Sequence, residues 1–313
     1  MTKPRLLIAR RVFDQTLALL SEHFDVQANQ ADGVFSPQEL AQRLQGCSAA
    51  FVTGSERIDE ALLQACPDLR MVATMFVGYN NIDVAACTRR GVLATYAPDV
   101  LTETTADLGF ALVLATARRL GEGERFIRDG RWNSWTIDLL AGWDVHGSTL
   151  GILGMGRIGQ AIARRGVHGF GMNVIYHNRS RLDEASEAAL GGARWVSKED
   201  LLAQSDHLVI VVPYSPQTHH AIGAAELASM KPTATLVNIA RGGVVDDAAL
   251  GQALAAGTIA AAGLDVFEGE PSVHPSLLKV PNIVLAPHVG SATIGTRKAM
   301  AARAAANLIE AFA

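Results

Sequence analysis

The chain is short of charge, of cysteine and of long apolar runs, and each shortage removes a class of function. Charged residues fill 19% of its 313 positions against 49% hydrophobic, and mean hydropathy is +0.18. That balance supplies core material and falls below the charge content of disordered chains. Basic residues are not in excess: 27 Lys and Arg stand against 31 Asp and Glu, a formal net charge of −4. Without a broad positive field the protein has nothing to hold a phosphate backbone, so nucleic acid is excluded as its main partner. No apolar stretch reaches the ~18 residues that span a bilayer, and the opening MTKPRLLIARR is too short in its apolar part for a signal sequence. No membrane partner is expected, and the residence is read as cytoplasmic. Only three cysteines occur, Cys47, Cys66 and Cys87, without CxxC or metal-type spacing. An odd, scattered set excludes a disulfide framework and suits a reducing compartment.

What is present is alternation. In the first hundred residues short β-rich runs (Leu6 to Ala9, Ala49 to Thr53, Met71 to Val77, Val92 to Tyr96) alternate with helix-like stretches such as Pro37 to Leu44. From Thr149 a second series follows: TLGILG, NVIYHN, ARWVS, HLVIVVP, TLVNIA, AAAGLDVF and NIVLAP. Strands alternating with helices predict parallel sheets with crossover helices, and near-continuous apolar strands predict sheets covered on both faces. The expected fold class is therefore α/β, in about two domains. Two Ala-rich helices, near Leu101 to Leu120 and Ala292 to Phe312, bracket the second series. The segment from Gly121 to His146 reads as an irregular linker. It carries Trp132, Trp135 and Trp143, three of the four tryptophans, and is read either as an interface or as a cap on the hinge.

LGILGMGRIG places Gly154, Gly156 and Gly159 after a predicted strand and at the head of a predicted helix. This is the setting in which GxGxxG binds a dinucleotide: a tight turn, a close backbone approach to the pyrophosphate, and helix N-terminal amides facing its charge. Asn178 lies 19 residues beyond Gly159 (178 − 159), near the spacing at which NAD enzymes place an acid for the ribose hydroxyls. Here that position is neutral and is followed by Arg179 and Ser180, donors suited to a 2′-phosphate. NADP(H) is the preferred cofactor and NAD(H) a possible one; the alternative is that Arg179 is an ordinary surface arginine.

Three further segments fall at predicted strand ends, NIARGG, LDVFEGEP and APHVGSA, where open α/β sheets place ligands. They supply the set that reduction of a 2-oxo acid requires. Hydride arriving at a carbonyl carbon makes the oxygen basic, so a proton donor working near neutrality must stand beside it, and His288 is assigned that role. A carboxylate on the other ring nitrogen orients an imidazole and favours its charged form; Glu270 is the candidate. A substrate carboxylate calls for a planar bidentate donor, assigned to Arg241.

GMGRIG, NIARGGVVDDAAL, GLDVFEGEP and PHVGSAT, in that order, resemble the signatures of the D-isomer-specific 2-hydroxyacid dehydrogenase family, over essentially the whole chain. The nearest likeness is to its glyoxylate/hydroxypyruvate reductase and 2-ketogluconate reductase branch, which usually favours NADPH. The resemblance implies two Rossmann-like or flavodoxin-like parallel-sheet domains with the active site in the cleft between them. Residues 1–98 plus 288–313 would form a discontinuous substrate domain and 99–287 the dinucleotide domain. It implies the roles of Arg241, Glu270 and His288 given above, with Glu268 a neighbour rather than the catalytic acid. Cofactor contacts are expected from Met155, Arg157 and Ile158 within the glycine motif, Val212 and Pro213, Ile239 and Ala240, Asp265 at the nicotinamide carboxamide, and Gly290. Val77 and Gly78 match a loop whose amides hold the substrate carboxylate. The resemblance also implies a homodimer through 121–146, with Trp135 entering the partner's substrate pocket.

The implied reaction is NADPH-dependent reduction of glyoxylate, hydroxypyruvate or 2-ketogluconate to the D-2-hydroxy acid, with no metal. Two alternatives stand beside it: an NAD-linked dehydrogenase of phosphoglycerate or D-lactate, and a non-catalytic protein that senses dinucleotide.

Overall fold

A computed structural model describes residues 3–313, which divide into two compact units. The first comprises residues 3–101 and Ser291–Ala313, the second Thr102–Gly290.

In the first unit, β1 (Arg5–Ile8), β2 (Asp25–Ala28), β3 (Ala49–Val52), β4 (Met71–Thr74) and β5 (Leu93–Thr95) alternate with α1 (Asp14–His23), α2 (Pro37–Arg43), α3 (Glu60–Ala65) and α4 (Val84–Arg89). The strands form a parallel sheet in the order β2-β1-β3-β4-β5, the doubly wound order of flavodoxin-like folds. Helix starts follow local chemistry. Ser36, Asp59 and Asp83 each accept a backbone N–H from the first turn of α2, α3 and α4, and Pro37 opens α2, satisfying donors that the helices cannot. The expected strands β1, β3, β4 and β5 are present. β2 is an addition: an edge strand reading DVQA with no fully buried residue, it has no apolar signature.

Cys47, Cys66 and Cys87 are free thiols buried in this unit's core beside Leu40, Leu44, Leu62 and Val72. Burial pushes all three above the ordinary thiol value, so they act as small apolar residues. The C-terminal helix, here residues 294–312, packs on α1, β3 and β4 of the same unit.

The second unit contains α5 (Thr102–Ala117), α6 (Leu120–Arg128), β6 (Thr149–Leu153), α7 (Arg157–Phe170), β7 (Asn173–His177), α8 (Glu184–Ala189), β8 (Arg194–Trp195), α9 (Lys198–Gln204), β9 (His207–Ile210), α10 (Ala224–Ser229), β10 (Thr235–Asn238), α11 (Asp247–Ala256), β11 (Ala261–Leu264) and β12 (Ile283–Leu285). The chain then closes with α12 (Ile294–Phe312) in the first unit. The sheet is parallel, with seven strands ordered β12-β11-β10-β9-β6-β7-β8, so the order reverses between β6 and β9, where ligands bind in open α/β sheets. Two apolar clusters bury its faces. One contains Leu208, Leu236 and Leu264, the other Ile152, Tyr176 and Val209. Alternate residues of one strand thus serve opposite cores, the physical reason these strands read as continuous apolar runs.

The linker reading of 121–146 needs correction at its start, because Leu120–Arg128 is helical. Arg119 in the left-handed region (φ 52°) separates α6 from α5, and Arg119–Glu122 and Arg128–Glu124 pairs line it. Its two glycines and lack of any buried residue hid it from an apolar pattern.

Candidate active site

The turn from β6 to α7 is built by glycine. Gly154 has φ 105°, and a Cβ there would lie 2.9 Å from the carbonyl carbon of Val211. A Cβ at Gly159 would lie 2.3 Å from the Gly154 carbonyl oxygen. Gly156, by contrast, faces open space and as N-cap of α7 offers no side-chain acceptor to the first-turn amides. Helices such as α9 and α11 spend those donors on Ser197 and Asp246. An uncapped first turn beside the glycine motif fits the pyrophosphate of a dinucleotide. Met155 is buried, Ile158 half-buried and Arg157 exposed around this turn.

At the end of β7, Asn178 is half-buried while Arg179 and Ser180 are exposed. The Trp195 indole donates to the Asn178 carbonyl at 3.0 Å and its ring stacks on His177, fixing the loop. Arg181 is committed elsewhere: it donates to Glu187 at 2.9 and 2.7 Å, and Tyr176 Oη donates to the same carboxylate at 2.6 Å. Arg179 makes no ion pair among the described residues, so it is the cation that this loop offers outward.

Arg181 first and the Tyr176 hydroxyl second hold the Glu187 carboxyl at about 2, against an ordinary 4.5. Burial and then Glu187 push Tyr176 up to about 12. A depressed carboxyl contributes stability that is full above its unfolded value and is lost as pH falls through its folded one. Glu187→Gln is therefore expected to flatten the acid limb of the melting temperature between about pH 4.5 and 2. An unchanged slope in a thermal-melt pH series would refute this.

The candidate reaction residues follow β10, β11 and β12. Asn238, 1% exposed, accepts from the Ala240 amide at 3.0 Å and donates to the Arg241 carbonyl at 3.3 Å, folding the chain that presents Arg241. Arg241 Nη1 donates to the Ala240 carbonyl at 2.6 Å. Burial pulls its guanidinium below the ordinary value and the Glu270 carboxylate opposes that. A cation so poorly solvated gains from a carboxylate ligand.

His288 Nδ1 meets Glu270 Oε2 at 2.7 Å, while Glu270 Oε1 accepts the Phe267 amide at 2.9 Å. Burial drives the Glu270 carboxyl up, but His288, the Phe267 amide and the Arg241 charge together outweigh it and hold it below its ordinary value. With Nδ1 so engaged, Nε2 is the ring atom left to exchange a proton. The His288 backbone is left-handed, φ 52°, sparsely populated for a non-glycine residue. Asp265 holds it there. Its carbonyl accepts the His288 amide at 2.9 Å, and its carboxylate oxygens accept the amides of Val289 and Gly290 at 2.7 and 2.8 Å. Burial nevertheless leaves the Asp265 carboxyl above its ordinary value, against the pull of those two amides.

Arg241, Glu270 and His288 thus stand together in the second unit, and Glu268 turns instead to His220 at 2.9 Å. Val212 and Pro213 follow β9, Ile239 and Ala240 follow β10, and Asp265 follows β11, along the sheet edge that carries the glycine turn. Val77 and Gly78 are half-buried after β4 in the first unit, and Trp135 is 76% exposed. Sequence reasoning missed Asn238, Trp195 and Asp247, whose buried carboxylate anchors the Glu268 amide at 3.0 Å. A polar residue ending the apolar run TLVN was the one available signal.

Residues 110–290 match the model of the D-isomer specific 2-hydroxyacid dehydrogenase NAD binding domain. A glyoxylate reductase of Thermococcus onnurineus is 47% identical over 311 residues, covering 98% of this chain and 92% of the relative. One from Aeropyrum pernix is 46% identical, covering 100% and 94%. Among solved structures, a glyoxylate reductase from Paecilomyes thermophila superposes with TM-score 0.88 at 34% identity, covering 100% and 96%. An NADPH-dependent glyoxylate/hydroxypyruvate reductase from Sinorhizobium meliloti, in complex with NADP and malonate, does so with TM-score 0.86 at 36% identity, covering 98% and 93%. With likeness running along nearly the full length of both chains in each pairing, the chain belongs to the D-isomer-specific 2-hydroxyacid dehydrogenase family.

Proposed function

We propose that the chain reduces small 2-oxo acids, glyoxylate and hydroxypyruvate first and 2-ketogluconate as a further candidate, to D-2-hydroxy acids with NADPH. The observation that carries this reading is the 2.7 Å pair of His288 and Glu270 at the sheet edge that also presents Arg241 and the glycine turn. Bound reduced nicotinamide supplies the hydride. Arg241 binds the substrate carboxylate and faces the carbonyl oxygen. As negative charge develops on that oxygen, the His288 imidazolium gives it a proton from Nε2 and is left neutral, its Nδ1–H donating to the Glu270 carboxylate that pairs with the charged ring before transfer. The names of the Thermococcus, Aeropyrum and Sinorhizobium relatives support the substrate class.

The NADPH preference rests on neutral Asn178 with Arg179 and Ser180 exposed beside it, and on an NADP complex of a relative. A charge-assisted hydrogen bond contributes roughly 1.5–3 kcal/mol, about ten- to hundredfold. Asn178→Asp with Arg179→Ala is expected to shift the NADPH:NADH ratio of kcat/KM by at least that factor toward NADH. The assay follows loss of nicotinamide absorbance with each cofactor on each 2-oxo acid. Equal rates before and after substitution would remove the 2′-phosphate role, and no turnover on any 2-oxo acid would remove the reductase reading.

Homodimerisation belongs to the same proposal. Leu120, Ile127, Trp132, Trp135 and Ile137 are all more than half exposed, Ile137 at 89%, a density of apolar surface that marks an interaction site. Trp135 is assigned to the partner's substrate pocket. In sedimentation the chain is expected at twice its 33.2 kDa mass, and Ile127→Glu with Ile137→Glu at once that mass. A dimer that survives both charges would place the interface elsewhere.

A further inference from the structure

Outside the reaction centre, on the loop between β9 and α10, His219 and His220 stack ring on ring with centroids 3.9 Å apart. Neither has a role in the reaction proposed above. His220 is held in the left-handed region, φ 48°, by its amide donating to the Gly243 carbonyl at 2.7 Å. Glu268 meets it from the segment after β11, with Oε2 at 2.9 Å from His220 Nε2. One ligand atom from each of His219, His220 and Glu268 lies within 4.8 Å of the others, wider than the ~3.4 Å that separates tetrahedral ligands about 2.1 Å from a shared ion, a gap that a small rotation of one exposed side chain closes.

Groups that orient metal ligands are also present. Tyr214 Oη stands 3.3 Å from His219 Nδ1, and Asp246 Oδ2 lies 3.8 Å from His220 Nδ1. Polar partners on the far ring nitrogen fix the tautomer and direct Nε2 toward an ion. The Glu268 backbone is itself anchored by Asp247. We infer that His219, His220 and Glu268 form a site for a borderline divalent cation such as Zn²⁺. Two imidazoles and one carboxylate suit such an ion and not Mg²⁺ or Ca²⁺, which prefer oxygen ligands. Three protein ligands leave a coordination position to water. The exposed His219 ring swings slightly out of the stack to turn its lone pair to the ion, whereas His220 and Glu268 already face each other. An ion here fastens the His219–His220 loop to the segment between Phe267 and Glu270.

The test is calorimetric titration of the untagged, chelator-treated full chain with ZnCl₂, and with MgCl₂ for comparison, alongside thermal melts. Expected are saturable uptake of about one Zn²⁺ and a raised melting temperature. In His219→Ala and Glu268→Gln, both at exposed side chains, the affinity should fall at least about tenfold. Metal-free His219→Ala should keep the parent rate with any substrate that the parent turns over. Absence of saturable Zn²⁺ binding, an affinity in both variants equal to the parent's, or Mg²⁺ binding as tightly as Zn²⁺ would each overturn the assignment.

Discussion

His288→Ala is expected to lower kcat for glyoxylate reduction by about a hundred- to ten-thousand-fold, the usual worth of a positioned general acid, while NADPH binding persists. Glu270 holds the Nδ1 of the ring at 2.7 Å, leaving Nε2 for the substrate oxygen. The backbone complicates a simple alanine scan, because His288 has φ 52° and a left-handed alanine costs about 1–2 kcal/mol. Asparagine tolerates that conformation, so His288→Asn separates lost chemistry from strain. Both variants should lose kcat alike and differ only in melting temperature. A loss below about tenfold in His288→Asn would show that another group delivers the proton. Stopped-flow single turnovers with NADPH, read together with cofactor titrations, make the distinction.

Arg241→Lys should lower kcat/KM for glyoxylate by about a hundredfold or more although the charge is conserved. Two parallel charge-assisted hydrogen bonds contribute roughly 1.5–3 kcal/mol each, and an ammonium does not present the planar fork that makes both. Arg241 is also a cation that burial disfavours and only Glu270 offsets, so its pairing with substrate is worth more than a surface pair. The NADPH dissociation constant should stay within a few-fold of the parent's. A KM effect of severalfold with kcat unchanged would reduce Arg241 to one anion contact among others. If Arg241→Lys instead weakens NADPH as strongly as glyoxylate, the residue serves the dinucleotide.

Much of the protein was legible without coordinates because its strands are covered on both faces. TLGIL, HLVI and TLVN have no choice but burial, and the caps Ser36, Asp59, Asp83, Ser197 and Asp246 start helices by local hydrogen bonds. GMGRIG was legible for the same reason, since a φ of 105° with backbone 2.9 Å from the Cβ position admits only glycine. β2 and α6 were not legible. β2 is held by pairing with β1, and α6, with no buried residue, packs on α5 and β12, and neither leaves an apolar period in the sequence.

Sequence alone determined the α/β class, the glycine turn, and the residue types that reduction of a 2-oxo acid requires, because periodicity, steric exclusion and proton chemistry act within short segments. Glu270 was assigned to His288 from the sequence and its resemblance, but tertiary structure alone decided where Glu268 goes and what holds each acid on its histidine. Glu268 and Glu270 are two residues apart on one loop, yet one faces His220 and the other His288. That choice depends on Asp247 anchoring one amide and Glu270 itself accepting another from Phe267. It depends also on Asp265 holding the 288–290 turn in place from the neighbouring strand. The Asp247–Glu268 and Asp265–Gly290 contacts join positions 21 and 25 residues apart in sequence, and only the parallel register of β10, β11 and β12 brings them to one edge.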